Sequence, residues 1–172
     1  LGAWDATLTP TGAAFSAFPI YTVMAQTPNL WLDGGRTYWV VPVGLSDATF
    51  PAQWYWGTTR NQEIVGTPGA FMGAGVGFPE WTSVASLPCG CTDFAFRVDG
   101  TRCEIIRDNG APSVPAMTPT GSSLGAPILL SSLFSSTRAS DDFVINSNTD
   151  ALICYLRATL YTNFAPVDAA FE

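Results

Sequence analysis

Four cysteines, Cys89, Cys91, Cys103 and Cys154, are the residues of this chain best suited to covalent chemistry. An even number in a Gly-, Pro- and Thr-rich sequence without lysine reads as two disulfides formed in an oxidising compartment. Cys89 and Cys91 are too close along an extended chain to bridge each other easily. Each is therefore expected to pair with Cys103 or Cys154, and Cys91 with Cys103 across a turn is the favoured bridge. A structural zinc site would show its cysteines as paired knuckles, and one C-x-C with two lone cysteines does not make that pattern. Histidine is absent, which removes the commonest general base and excludes Ser–His and Cys–His nucleophiles.

The carboxylates offer less. A glycosidase-type pair would be drawn from Glu63, Glu80, Asp93 and Glu104, yet the mechanism needs two acids at a fixed separation and no spacing selects two. Asp141 and Asp142, with Asp108, Asn109, Asp47 or Asp150, are a candidate for Ca²⁺, which takes roughly six to eight oxygens, usually at a loop. No D-x-D-x-D-G loop is present, so a solvated turn and strand edge is the favoured reading there. Gly69 to Gly77 lacks the Lys-Ser/Thr ending of a phosphate loop and reads as a hairpin loop. Trp54 and Trp56 share one face of a strand and, with Trp81, form a candidate platform for a sugar ring. The competing reading, which we favour, places the large rings in a core with Tyr55 outside. No catalytic residues, cofactor or metal site are expected.

The chain that positions these residues has 172 amino acids, enough for one domain or one domain plus an arm. Hydrophobic residues make up 47% and charged residues 12%, about half the usual charged share of roughly 25%. Ser, Thr, Asn, Gly and backbone must therefore cover the surface, and disorder is excluded. The net charge is −7, with arginine as the sole cationic side chain. Such a chain cannot line a groove for nucleic acid, and binding to an anionic membrane surface is disfavoured for the same reason. No stretch approaches the roughly 20 apolar residues of a membrane span. The first residue is Leu1, as expected of a processed chain or of a window from a longer one.

Turn signals recur at Thr9-Pro10-Thr11-Gly12, Asp33-Gly34-Gly35, Thr67-Pro68-Gly69, Asp99-Gly100 and Asn109-Gly110. Short runs of β-branched and aromatic residues lie between them, the pattern of an all-β antiparallel sandwich of jelly-roll or Ig-like type. Arg36 to Val43 is the clearest strand, with Pro42 marking an edge or an end. Gln53 to Gly57 is another. In Asp93 to Val98, Phe94, Phe96 and Val98 share one face, while Asp93, Ala95 and Arg97 share the other. Asp142 to Ile145 and Leu152 to Asn163 complete the set, the last with Leu152, Cys154, Leu156, Ala158 and Leu160 predicted on its core face. Ile128 to Phe134 reads as a short helix or an apolar strand. Residues 1–107 are expected to form the sandwich body, 108–127 a Pro/Ser/Gly-rich linker or loop, and 128–172 strands packing on the same domain or on the next subunit.

Two stretches resemble a known group, the exported bacterial β-sandwich domains of PEP-CTERM-type and other choice-of-anchor surface proteins. One runs from Pro19-Ile20-Tyr21 through Trp31 to Val40 and Trp54-Tyr55-Trp56-Gly57-Thr58-Thr59 to Asp93-Phe94-Ala95-Phe96-Arg97-Val98-Asp99-Gly100. It is similar to that family's "L-x-x-G-x-T-Y-W", "W-Y-W-A-T" and "D-L-A-F-R-L-x-G" strands. The other, Arg138 to Ile145, is similar to the "A-D-D-F-x-L" strand that opens those domains, so the two halves stand in permuted order. The resemblance implies an exported, non-catalytic surface module. The order is that of a circular permutation, a window cut from a tandem array, or a subunit completed by its neighbour. In the last case Leu152 to Glu172 of one copy would pack beside Leu1 to Val23 of the next by strand addition.

These readings converge on an extracellular structural subunit that associates with itself head to tail into a filament, sheath or surface array. A carbohydrate-binding or adhesive surface module and a viral coat or decoration protein are the alternatives.

Overall fold

A computed structural model describes residues 2–15, 18–45, 54–60, 66–73, 78–86, 91–100, 105–109, 125–127, 129–131, 134–145, 148–162 and 168–171. These form fifteen strands: β1 Trp4–Phe15, β2 Phe18–Leu32, β3 Thr37–Val40, β4 Pro42–Leu45, β5 Trp54–Arg60, β6 Ala70–Gly73, β7 Phe78–Ser83, β8 Cys91–Phe94, β9 Phe96–Gly100, β10 Ile105–Asp108, β11 Gly125–Pro127, β12 Leu129–Ser131, β13 Phe134–Val144, β14 Ala151–Thr162 and β15 Asp168–Phe171. The expected all-β sandwich is the observed architecture, with antiparallel sheets packed face to face.

One layer runs β10-β9-β14-β2-β1, with β5 joining the far end of β14 through Leu160 opposite Trp56. The other runs β15-β4-β12-β13-β6-β7, with β3 on β13. A single parallel contact, Leu130 opposite Leu45, joins β12 to β4. β1 belongs to both layers, since Trp4–Ala6 pair with β15 and Thr7 onward pairs with β2. The turn from β2 into β3 places Gly35 at φ 73°, a conformation that costs glycine nothing. Its amide donates to Ile145 O at 2.9 Å.

Alternation along the strands builds the core. Phe94, Phe96 and Val98 of β8 and β9 point inward as expected, and meet Trp56 of β5 and Phe143 of β13. Trp56 stacks on Phe94 with centroids 4.4 Å apart and planes 11° apart, and meets Phe96 edge-on at 6.1 Å. Its indole N–H donates to Ala95 O at 2.8 Å, which satisfies the one polar atom that burial would leave stranded.

Three expectations are corrected in detail. The strand predicted over Arg36 to Val43 breaks at Val41 into β3 and β4, because β3 pairs with β13 and β4 with β15. Pro42, which has no N–H to donate, opens the second piece. The core face of β14 holds at Leu156, Ala158 and Leu160 but slips at Cys154, so that Ile153 is buried and Leu152 is not. The cause is a bulge on β14 itself: Ile153 and Tyr155 stand opposite the adjacent residues Gly100 and Asp99 of β9, so Cys154 is the extra residue. One such irregularity reverses the facing of every residue beyond it. Finally, β14 pairs with β2 and β15 with β1 inside the same chain, so the C-terminal strands meet the N-terminal ones without a neighbour. The run Ile128 to Phe134 contributes strand, not helix, with Ile128 and residues 132–133 outside the described residues. Residues 110–124, most of the predicted linker, lie outside them as well.

Candidate functional site

The densest polar chemistry lies inside the sandwich, where Asp93, Asn109, Asp141 and Asp142 are all buried. Successive strand residues face opposite sides, so burial of both Asp141 and Asp142 requires cover on both faces of β13. On one side, Asp141 Oδ2 accepts from Phe94 N at 2.8 Å and Asn109 Nδ2 at 3.1 Å, and Asp141 Oδ1 accepts from Asp142 N at 2.8 Å. On the other, Asp142 accepts from Thr67 N at 3.0 Å through Oδ1. Asp93 Oδ1 accepts from Gly69 N at 2.7 Å. Three carboxylates thereby hold the loop before β6, the β8–β9 junction and β13 in one piece.

The electrostatics follow from that burial. Desolvation, then the Asp93 charge and the hydrogen bond with Asp93, push the Asp141 carboxyl up to about 8, against the pull of its two backbone amides. Asp93 is also raised, mainly by desolvation, while the Gly69 amide and Arg107 oppose the shift. Two acids that cannot both ionise share a proton. The pair is sealed from solvent, so it is a structural tie without access for a substrate.

The loop tied by these acids leaves no space for side chains. A Cβ on Gly66 would lie 2.7 Å from Asp142 Oδ1, at a φ of 98°, and one on Gly69 would lie 2.7 Å from the Phe94 ring. Gly66→Ala is therefore expected to destabilise the fold by about 1–3 kcal/mol, read from denaturant unfolding. An unchanged midpoint would contradict the tight approach of Asp142 to this loop.

The residues singled out from the sequence are placed as follows. Trp56 is a fully buried core side chain, closed to a sugar ring. The Trp54 side chain lies outside the described residues, and Trp81 is 49% exposed on β7. No two of the three form a shared exposed face among the described side chains. Cys154 is a free thiol, its Sγ 3.0 Å from Gly100 O, so the expected bridge to it is not formed. The bulge sets this thiol toward a backbone carbonyl on β9. Cys89, Cys103 and the Cys91 side chain lie outside the described residues. The favoured reading of Asp141 and Asp142 as a solvated turn and strand edge is overturned, since both are buried with their oxygens accepting from N–H donors. Asp150 Oδ1 likewise accepts from Gly34 N at 3.2 Å. No group of three or more metal-ligating side chains occurs among the described residues. Asp47, Glu63 and Glu104 are outside them.

The feature that reading the cysteines and acids did not find is the β1–β2 hairpin. From Ala6 to Leu32 it holds no Asp, Glu, Lys or Arg. Thr9 to Ala14 are exposed without alternation, and beyond Ala6 the outer edge of β1 has no partner among the described residues. Edge strands are usually blunted by charge. Here only Pro10 and the bulge at Gly12, φ 77°, interrupt the edge. The long uncharged stretch was the available signal. At the opposite end of the same layer, β10 pairs on one side with β9 and exposes 55% of Ile105. The edge at β7 is protected by exposed Pro79 and Glu80. Comparison with known protein families, with curated proteins and with solved structures finds no match to this chain, so the resemblance to exported surface domains rests on its strand motifs alone.

Proposed function

We propose that this chain is a non-catalytic structural subunit of an extracellular assembly, joined head to tail by strand addition. The observation that carries this reading is the uncharged arm, whose outer edge on β1 beyond Ala6 has no partner among the described residues. Main-chain donors and acceptors along such an edge are satisfied by an added strand. The complementary edge is β10 of the next copy, at the other end of the same layer. A contact between two different edges is heterologous and propagates unless it closes into a ring. Pro10 and the Gly12 bulge restrict indiscriminate pairing, leaving the edge to a partner of matching shape. Extracellular placement is supported by the resemblance to exported surface domains and by a surface poor in charge.

Light scattering and negative-stain electron microscopy over a range of concentrations test this. The expected result is a ladder of oligomers growing into filaments. Ala13→Lys on the arm and Ile105→Asp on β10 should each weaken assembly at least about tenfold, since an edge charge must be desolvated on pairing. Mixed together, the two variants retain one intact arm and one intact β10 edge, and should stop at a dimer. A monodisperse wild-type species of 18.3 kDa at every concentration would overturn the proposal.

A further inference from the structure

On the outer face of the first layer, Arg157 of β14 stands directly opposite Arg97 of β9, and Tyr155 opposite Asp99. Like charges facing each other across two strands repel. Asp99, whose side chain is sealed from solvent, lies between them. Arg97 donates to Asp99 Oδ1 from Nε at 2.8 Å and from Nη2 at 2.6 Å. Arg157 Nε is 3.1 Å from Asp99 Oδ2, an ion pair out of line for a hydrogen bond. Asp99 Oδ2 and Arg157 Nε are therefore buried polar atoms without a hydrogen-bond partner. Such atoms in a folded protein call for an explanation.

Beside this triad is a concavity of about 220 Å³. Ala95 and Ala158 contribute to its lining, Arg97 and Arg157 stand along it, and Thr22 and Thr159 face each other across the β2–β14 pair. Asp108, opposite Arg97 on β10, adds a carboxylate.

We propose that this concavity binds one ring of an acidic sugar, a hexuronate. The sugar carboxylate lies on the Arg97 and Arg157 guanidiniums, and its hydroxyls meet Thr22, Thr159 and Asp108. The guanidinium is a planar fork matched to carboxylate, and each arginine here has N–H groups beyond those turned to Asp99. Asp108 selects between ligands: it repels a bare anion, yet accepts from a hydroxyl. The volume is below the roughly 300–1,000 Å³ of sites for drug-sized molecules, which suits a single ring.

Calorimetric titration of the full chain at low salt with methyl glucuronide, methyl glucoside and acetate tests the proposal. Glucuronide should bind at least about tenfold more tightly than either of the others, because only it offers both a carboxylate and a set of hydroxyls. Arg157→Gln should weaken glucuronide about tenfold, with folding checked by circular dichroism. Thr159→Val, an isostere compatible with the strand, should weaken it a few-fold and keeps the test open should Arg157→Gln fail to fold. Absence of glucuronide binding overturns the proposal. So does acetate binding as tightly, which marks a plain anion site, or glucoside binding as tightly, which leaves the arginines without a role.

Discussion

Asp141→Ala is expected to remove a large part of the folding free energy. It strands the Phe94 and Asp142 amides and takes from the Asn109 side-chain amide one of two acceptors, the other being Phe94 O. A buried donor left without an acceptor costs about 1–3 kcal/mol, so the loss is of order 2–6 kcal/mol. A whole domain has only about 5–15 kcal/mol. The melting temperature should fall by about 10 °C or more. Asp141→Asn is the informative companion, because its carbonyl still accepts while its titration is gone. In the wild type the unfolded Asp141 ionises near 3.8, while the folded one keeps its proton to about 8. Between those values the unfolded state binds fewer protons, so stability falls as pH rises. The contribution is complete below about pH 4 and lost by about pH 8, with a slope approaching about 1.4 kcal/mol per pH unit. Asp93, raised for the same main reason, acts in the same direction. Denaturant unfolding from pH 4 to 9 should show the decline in wild type and a shallower one in Asp141→Asn. Equal slopes in the two proteins would remove Asp141 as its cause.

Trp56→Ala should be nearly as costly. The indole is wholly buried, stacks on Phe94 and donates to Ala95 O. Truncating a core tryptophan costs about 3–5 kcal/mol. The carbonyl left behind sits at the β8–β9 junction, where the Ala95 amide also bonds Gly57 O at 2.8 Å. Trp56→Phe separates the terms, since it keeps most of the ring volume and loses only the N–H, at about 1–2 kcal/mol. Unfolding midpoints check both. A Trp56→Ala protein as stable as wild type would mean that the ring does not fill the space between the layers.

Where large apolar residues alternate, the sequence was readable. Phe94, Phe96 and Val98 kept their face in spite of the break at Ala95 and the irregular register of β8 against β5, and a paired aromatic such as Trp56 had to be buried once its strand was central. β14 was readable only up to its irregularity. The slip at Cys154 belongs to the register of β14 against β9, a strand far earlier in the chain, and no local pattern announces it. The acid network was hidden for a related reason. Asp93 and Asp141 are ordinary surface letters until the packing of β13 beside β8 brings them together. Asp142 differs from a solvated strand residue only because Thr67 covers it. Arg97, Asp99 and Arg157 were legible in part: Arg97-x-Asp99 puts both on one face, but the cation opposite them depends on register. The cysteine reading failed at Cys154 because parity and composition say nothing about which sulfur a bulge turns toward a carbonyl.

The side-by-side position of β1 and β15 has a mechanical consequence. Trp4 lies opposite Phe171, and Ala6 opposite Ala169, so both ends of the chain leave the sheet at the same point and in the same direction. Tension applied between them peels the two strands apart, opening hydrogen bonds one after another as in a zip. The domain is therefore soft when stretched by its ends. A force carried instead along β1 through its arm acts parallel to the strands, and the long β1–β2 and β2–β14 ladders must then yield in shear, many bonds at once. The same fold is compliant along one axis and stiff along the other, and a subunit that bears load would need to receive it along the stiff one.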